Sequence, residues 1–160
     1  MDLKHAVESG FSFGITSGII TTLGLIVGLH SGSHAKGVII SGVLTIAIAD
    51  ALSDALGMHM VEESEGKHSE AEIWWATAAT FLSKFIFTLS FLIPLIIFPL
   101  FHAIVISLVW GFALLFAFSF YLARKQRITP IKVAGEHLLI AVVVIVLTHF
   151  TGRWIGSFFA

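Results

Sequence analysis

The sequence contains no cysteine and only three prolines, and just 12% of its 160 residues are charged. Without cysteine there is no disulfide framework, thiolate metal site, iron–sulfur cluster or cysteine nucleophile. So little charge excludes an ordinary soluble domain, where about 25% of residues are charged. Nor is basic charge in excess: nine Lys plus Arg stand against ten Asp plus Glu, which leaves no cationic surface for nucleic acid. The chain has no nucleophile elbow, phosphate loop or paired-histidine zinc helix, so no enzyme is expected. Its first apolar stretch is too long for a signal core and lacks a small-residue cleavage pattern, so no cleavable leader is expected either. What abounds is apolar side chain, 57% of residues at a mean hydropathy of +0.98. These values point to an all-α integral membrane protein with the lipid bilayer as its main partner.

A spanning helix needs about 20 mostly apolar residues, and five stretches supply them. They run over about 11–29, 37–60, 73–93, 102–123 and 133–155, with an acidic hinge at 61–72. Residues 85–123 contain no Asp, Glu, Lys or Arg. As one helix that interval would be about 58 Å long, nearly twice a hydrocarbon core of about 30 Å. It must fold back, and Pro94, Pro99 and His102 mark the place. Orientation follows from the cations. With the N-terminus inside, Lys4, Lys67, Arg124, Lys125, Arg127 and Lys132 are cytoplasmic, while only Lys36 and Arg153 lie on the far side. The whole chain reads as a single transmembrane domain.

Asp50 and Asp54 lie inside the second span, four residues apart, and so share one helical face. Acids at membrane depth are costly; they bind cations, relay protons or pair with a buried base. Lys84 is the base within reach. At a rise of about 1.5 Å per residue, Asp50 lies about 15 Å in from Met60 and Lys84 about 16 Å in from Ile73, which puts them level. Lys84 is then either a permanent counter-ion or a built-in competitor that leaves when a metal or proton arrives. Ser17 and Thr21 of the first span offer weak hydroxyl ligands, and with Asp50, Asp54, Lys84 and Met58 they form the candidate transport path. Gly10, Gly14, Ser17, Thr21, Gly24 and Gly28 recur at helical spacing, as close helix packing or a dimer seam requires in lipid.

The hinge offers carboxylates and imidazoles, a donor mixture suited to Fe²⁺, Mn²⁺ or Zn²⁺. His59, Glu62, Glu63, Glu65 and His68 join Asp50 and Asp54 as candidate metal ligands, although an acidic run is more commonly a solvated loop. Glu136, His137 and His149 of the fifth span are secondary candidates, with interfacial hydration or an interhelical hydrogen bond as the plainer roles. His30, His34 and His102 are expected at the outer face, as an exit or proton-sensing cluster or as ordinary interfacial residues.

In their order along the chain, several segments resemble the vacuolar iron transporter family of five-span, dimeric divalent-metal transporters. Ile15 to Leu29 (ITSGIITTLGLIVGL) is similar to the family's first helix and Ala51 to Gly57 (ALSDALG) to its second. Phe91 to Leu100 (FLIPLIIFPL) is similar to the end of its third. Gly135 to Leu139 (GEHLL) and Thr148 to Gly156 (THFTGRWIG) are similar to parts of its last. The family's first-helix Asp falls on Ser17 and its second-helix Glu on Ile46, while its motif methionine falls on Asp54. A carboxylate in place of a thioether favours harder ions such as Mn²⁺. The long cytoplasmic metal-collecting helices are replaced by the hinge alone.

The resemblance implies a two-fold homodimer that moves Fe²⁺ or Mn²⁺ out of the cytoplasm in exchange for protons, with no tightly bound cofactor; the compact length points to a cell membrane as host. Two other functions fit the same residues. One is a non-transporting scaffold or regulatory subunit locked by an Asp/Lys ion pair. The other is a carrier of protons or an organic cation with Lys84 as the resident charge.

Overall fold

The structure, a computed structural model, describes residues 3–159. Six helices account for nearly all of them: α1 Leu3–Ser33, α2 Lys36–Ser64, α3 Glu70–Ser90, α4 Leu92–Ile97, α5 Leu100–Lys125 and α6 Pro130–Phe159. There is no strand among the described residues. Five helical stretches are long and apolar enough to cross a membrane, with α3 and α4 together making the third, Glu70–Ile97. In lipid only closed backbone hydrogen bonding is tolerated, so a chain this apolar is held to helices with short connections.

The connections differ from the expected ones in two places. The acidic segment 61–72 is mostly helical: α2 runs on to Ser64 and α3 starts at Glu70, leaving residues 65–69 as the turn. That turn ends in a capping box. The backbone N–H and hydroxyl of Ser69 donate to Glu72 Oε2 at 2.8 and 2.9 Å, satisfying donors the helix start leaves open. The second difference is at the fold-back, where α3 already stops at Ser90. Pro94 lies inside α4, where the first turn tolerates it, and Pro99 precedes α5, which takes in His102. Lys36 Nζ closes the C-terminal end of α4 by donating to the carbonyls of Ile96 and Phe98 at 3.3 and 3.0 Å.

The helices divide between two compact units, 1–18 with 44–90 and 19–43 with 91–160, so α1 and α2 each contribute a segment to both. In the first unit the glycines of α1 lie against α3. A Cβ on Gly10 would meet the Ala76 carbonyl, one on Gly14 the Ser83 hydroxyl and the Thr80 carbonyl, and one on Gly18 the Lys84 backbone at 3.3 Å. Thr80 adds a hydrogen bond from its hydroxyl to the Gly10 carbonyl at 3.2 Å. In the second unit the later glycines of α1 lie against α6: a Cβ on Gly28 would touch the Thr148 carbonyl at 3.4 Å, and one on Gly152 would strike the Gly28 carbonyl. α5 buries Ala103, Ser107, Gly111, Leu115, Ser119 and Ala123, a row at spacing four. Small residues therefore set the helix approach in both units, as expected where no hydrophobic force acts between helices in lipid.

Candidate functional site

The first unit holds the intramembrane charges. α2 presents Ala47, Ala51 and Ala55 to the interior, which places Asp50 and Asp54 one position to the side of that row. α3 presents Ala76, Thr80, Lys84 and Thr88. The two rows bring Lys84 Nζ to 2.5 Å from Asp50 Oδ2, the acid that the count along each helix puts level with it, and to 2.5 Å from Asp54 Oδ2, one turn further along α2. Ser17 completes the group from α1. Its hydroxyl donates to Asp54 Oδ2 at 2.6 Å and accepts from Lys84 Nζ at 3.0 Å.

The two acids are not equivalent. Asp54 Oδ2 accepts aligned hydrogen bonds from both Lys84 and Ser17. Asp50 Oδ2 is as near the ammonium but makes no aligned hydrogen bond; its contact is an ion pair alone. Burial differs as well. The Lys84 side chain is 1% exposed, while Asp50 and Asp54 keep 33% and 21% of theirs open. The ammonium is therefore enclosed while both carboxylates retain an open edge on α2. Formally the group holds two negative charges and one positive.

The other sequence-predicted residues fall elsewhere. Met58 is half-buried on α2, and Thr21 is half-buried on α1 in the second unit. His59 Nδ1 lies 3.0 Å from the Thr77 hydroxyl, and its ring packs against Trp74 at 4.7 Å. Glu62, Glu65 and His68 do come together, with His68 Nε2 at 3.4 and 3.3 Å from the two carboxylates. Glu63 stays exposed. Among the described residues, no group of three or more His, Asp or Glu side chains is arranged to hold a metal ion.

In the second unit Glu136 is exposed beside Lys132 at 4.0 Å. His137 Nδ1 lies 2.7 Å from the Ser119 hydroxyl, and His149 Nδ1 lies 2.7 Å from that of Ser31. Both are interhelical polar contacts of the kind that joins spans. His30 and His34 meet edge to face at 5.0 Å, while His102 packs on its neighbour Phe101. Sequence reasoning missed Ser69 and Glu72 as a helix cap and Lys36 as a clasp for α4. The first had a readable signal, an S-x-x-E pattern before an apolar run; the second had none, because the clasp joins residues far apart in sequence. In comparisons with protein-family models, curated proteins and solved structures, nothing matches this chain.

Proposed function

We propose that this protein is a multi-pass carrier that moves a divalent transition metal, Mn²⁺ or Fe²⁺, out of the cytoplasm in exchange for protons. The observation that carries the reading is the Asp50–Asp54–Lys84 group at membrane depth, whose charges do not balance. One proton on the pair of carboxylates, with Lys84 as ammonium, would make the group neutral. A divalent ion on both carboxylates beside a neutral Lys84 amine makes it neutral as well. A neutral centre is the cheaper one to hold in a low-dielectric interior, so the exchange is two protons for one metal ion. Asp50, Asp54 and the Ser17 oxygen are the protein ligands. Hard oxygen donors of this kind suit Mn²⁺.

The resemblance to the vacuolar iron transporter family supports the same reading, with a cytoplasmic N-terminus and a two-fold dimer. The dimer seam belongs on α2 rather than on the glycines of α1, which α3 and α6 already cover. Thr45, Ala49, Ser53 and Gly57 form an exposed row of small residues on α2, next to the half-open acids.

The test is Mn²⁺ uptake into proteoliposomes carrying a metal dye and a pH dye. About two protons should leave per ion, with no response to membrane potential, and Asp50→Asn with Asp54→Asn should abolish uptake. Undiminished uptake in that double variant refutes the site. The enclosure of Lys84 at 1% exposure favours one second reading, a permanent ion lock in a non-transporting scaffold. Folded protein with no metal or proton flux would establish it.

A further inference from the structure

The second unit contains a cluster that the transport reading leaves unused. A cavity of about 880 Å³ opens among α1, α5 and α6, a size within the range of about 300–1,000 Å³ seen for small-ligand sites. His30, His34, His149 and Arg153 line one part of it, and no carboxylate does. The only Asp or Glu in the sequence of this unit is Glu136, which faces Lys132. His149 is held by Ser31, whereas His30 Nδ1 is buried with no hydrogen-bond partner among the described residues. The imidazoles do not form a metal group. A cationic and donor-rich lining without an acid fits an anion, and a guanidinium fits phosphate in particular.

The rest of the lining excludes a purely water-soluble anion. Val27 precedes His30 along α1, which ends just before His34, and Ile145 and Val146 precede His149 and Arg153 along α6, so on these two helices the lining runs from apolar to basic. Val146 and Phe150, on its wall, are 45% and 62% exposed, which leaves that wall open among apolar side chains. One ligand class has this polarity: a phosphate attached to hydrocarbon chains. We propose that the cavity binds one anionic phospholipid per chain. Its phosphate lies at Arg153 and the histidines, and an acyl chain lies along Val27, Ile145 and Val146. A guanidinium held between spans can pair with a lipid phosphate through two parallel hydrogen bonds.

The experiment is native mass spectrometry of the full chain released from micelles containing phosphatidylglycerol, phosphatidylcholine or inorganic phosphate. Wild-type protein should retain one phosphatidylglycerol per chain, at least about tenfold more tightly than phosphatidylcholine. Arg153→Gln should remove that preference, and Arg153→Lys should keep part of it. Lys132→Gln, an equal loss of charge elsewhere on α6, should change nothing. Equal retention of the two lipids by wild-type protein overturns the proposal without any variant. So does an Arg153→Gln effect no larger than that of Lys132→Gln, or inorganic phosphate alone binding as tightly as the lipid.

Discussion

Replacing Lys84 by methionine removes the cation and leaves two carboxylates one turn apart on the same face of α2. Breaking a buried ion pair from one side costs about 3–5 kcal/mol, because the remaining charge is uncompensated. Here the carboxylates retain 33% and 21% of their surface, so the lower end, about 3 kcal/mol, is expected. The acids should then respond unequally. Asp54→Asn weakens an aligned bond from Lys84 at 2.5 Å and one from Ser17 at 2.6 Å, and hydrogen bonds to charged groups contribute about 1.5–3 kcal/mol each. Asp50→Asn weakens only an unaligned ion pair and should cost less than half as much. Removing all three charges together should return stability to within about 1 kcal/mol of wild type, since a neutral replacement leaves no orphan. The assay is reversible unfolding in mixed micelles, followed by tryptophan fluorescence and arranged as a double-mutant cycle. A neutral Lys84→Met, or an Asp50→Asn as costly as Asp54→Asn, would show that the ammonium does not hold this group together.

Two further outcomes follow from packing. Gly152→Ala should lower stability by about 1–3 kcal/mol, the usual cost of overpacking, because its new methyl meets the Gly28 carbonyl. Gly135→Ala, with nothing within 4 Å, should be neutral or should stabilise by up to about 1 kcal/mol in the same unfolding assay. Ser31→Ala should cost about 0.6 kcal/mol, the average for interhelical hydrogen bonds in a membrane. It should also speed hydrogen exchange around His149, which loses its 2.7 Å partner.

The contact between Lys84 and the two acids was legible because helical rise is fixed. Counting from the apolar limits of two spans puts residues at the same depth without any knowledge of what packs where. The same count does not reveal rotation about the helix axis, which is why the difference between Asp50 and Asp54 was not readable. It depends on Ser17 reaching one oxygen and not the other. The glycine row on α1 was readable as a site of close approach, but not by which neighbour. A small residue is equally at home against α3, against α6 or against a second copy, and only the fold shows the first two.

The acidic hinge shows the opposite error, in which composition hides a local rule. Glu62 to Glu72 is dense in carboxylate, so each acid reads as one of a set with a shared task. Their positions on two helices and a short turn separate them. Glu72 is at the third residue of α3, where its carboxylate accepts from Ser69; Glu63 faces away, and Glu62 with Glu65 meets His68. A helix start takes one acid for its own open N–H groups regardless of what the others do. Of the hinge side chains Glu62, Glu65 and His68 meet, in a group not arranged to hold a metal ion as it stands, so metal collection at the hinge would need them to move. Glu72→Gln, which still accepts the capping bonds, should leave Mn²⁺ affinity at the hinge unchanged while His68→Ala reduces it, as read by calorimetry on the full chain. An equal loss in both variants would add Glu72 to the hinge ligands.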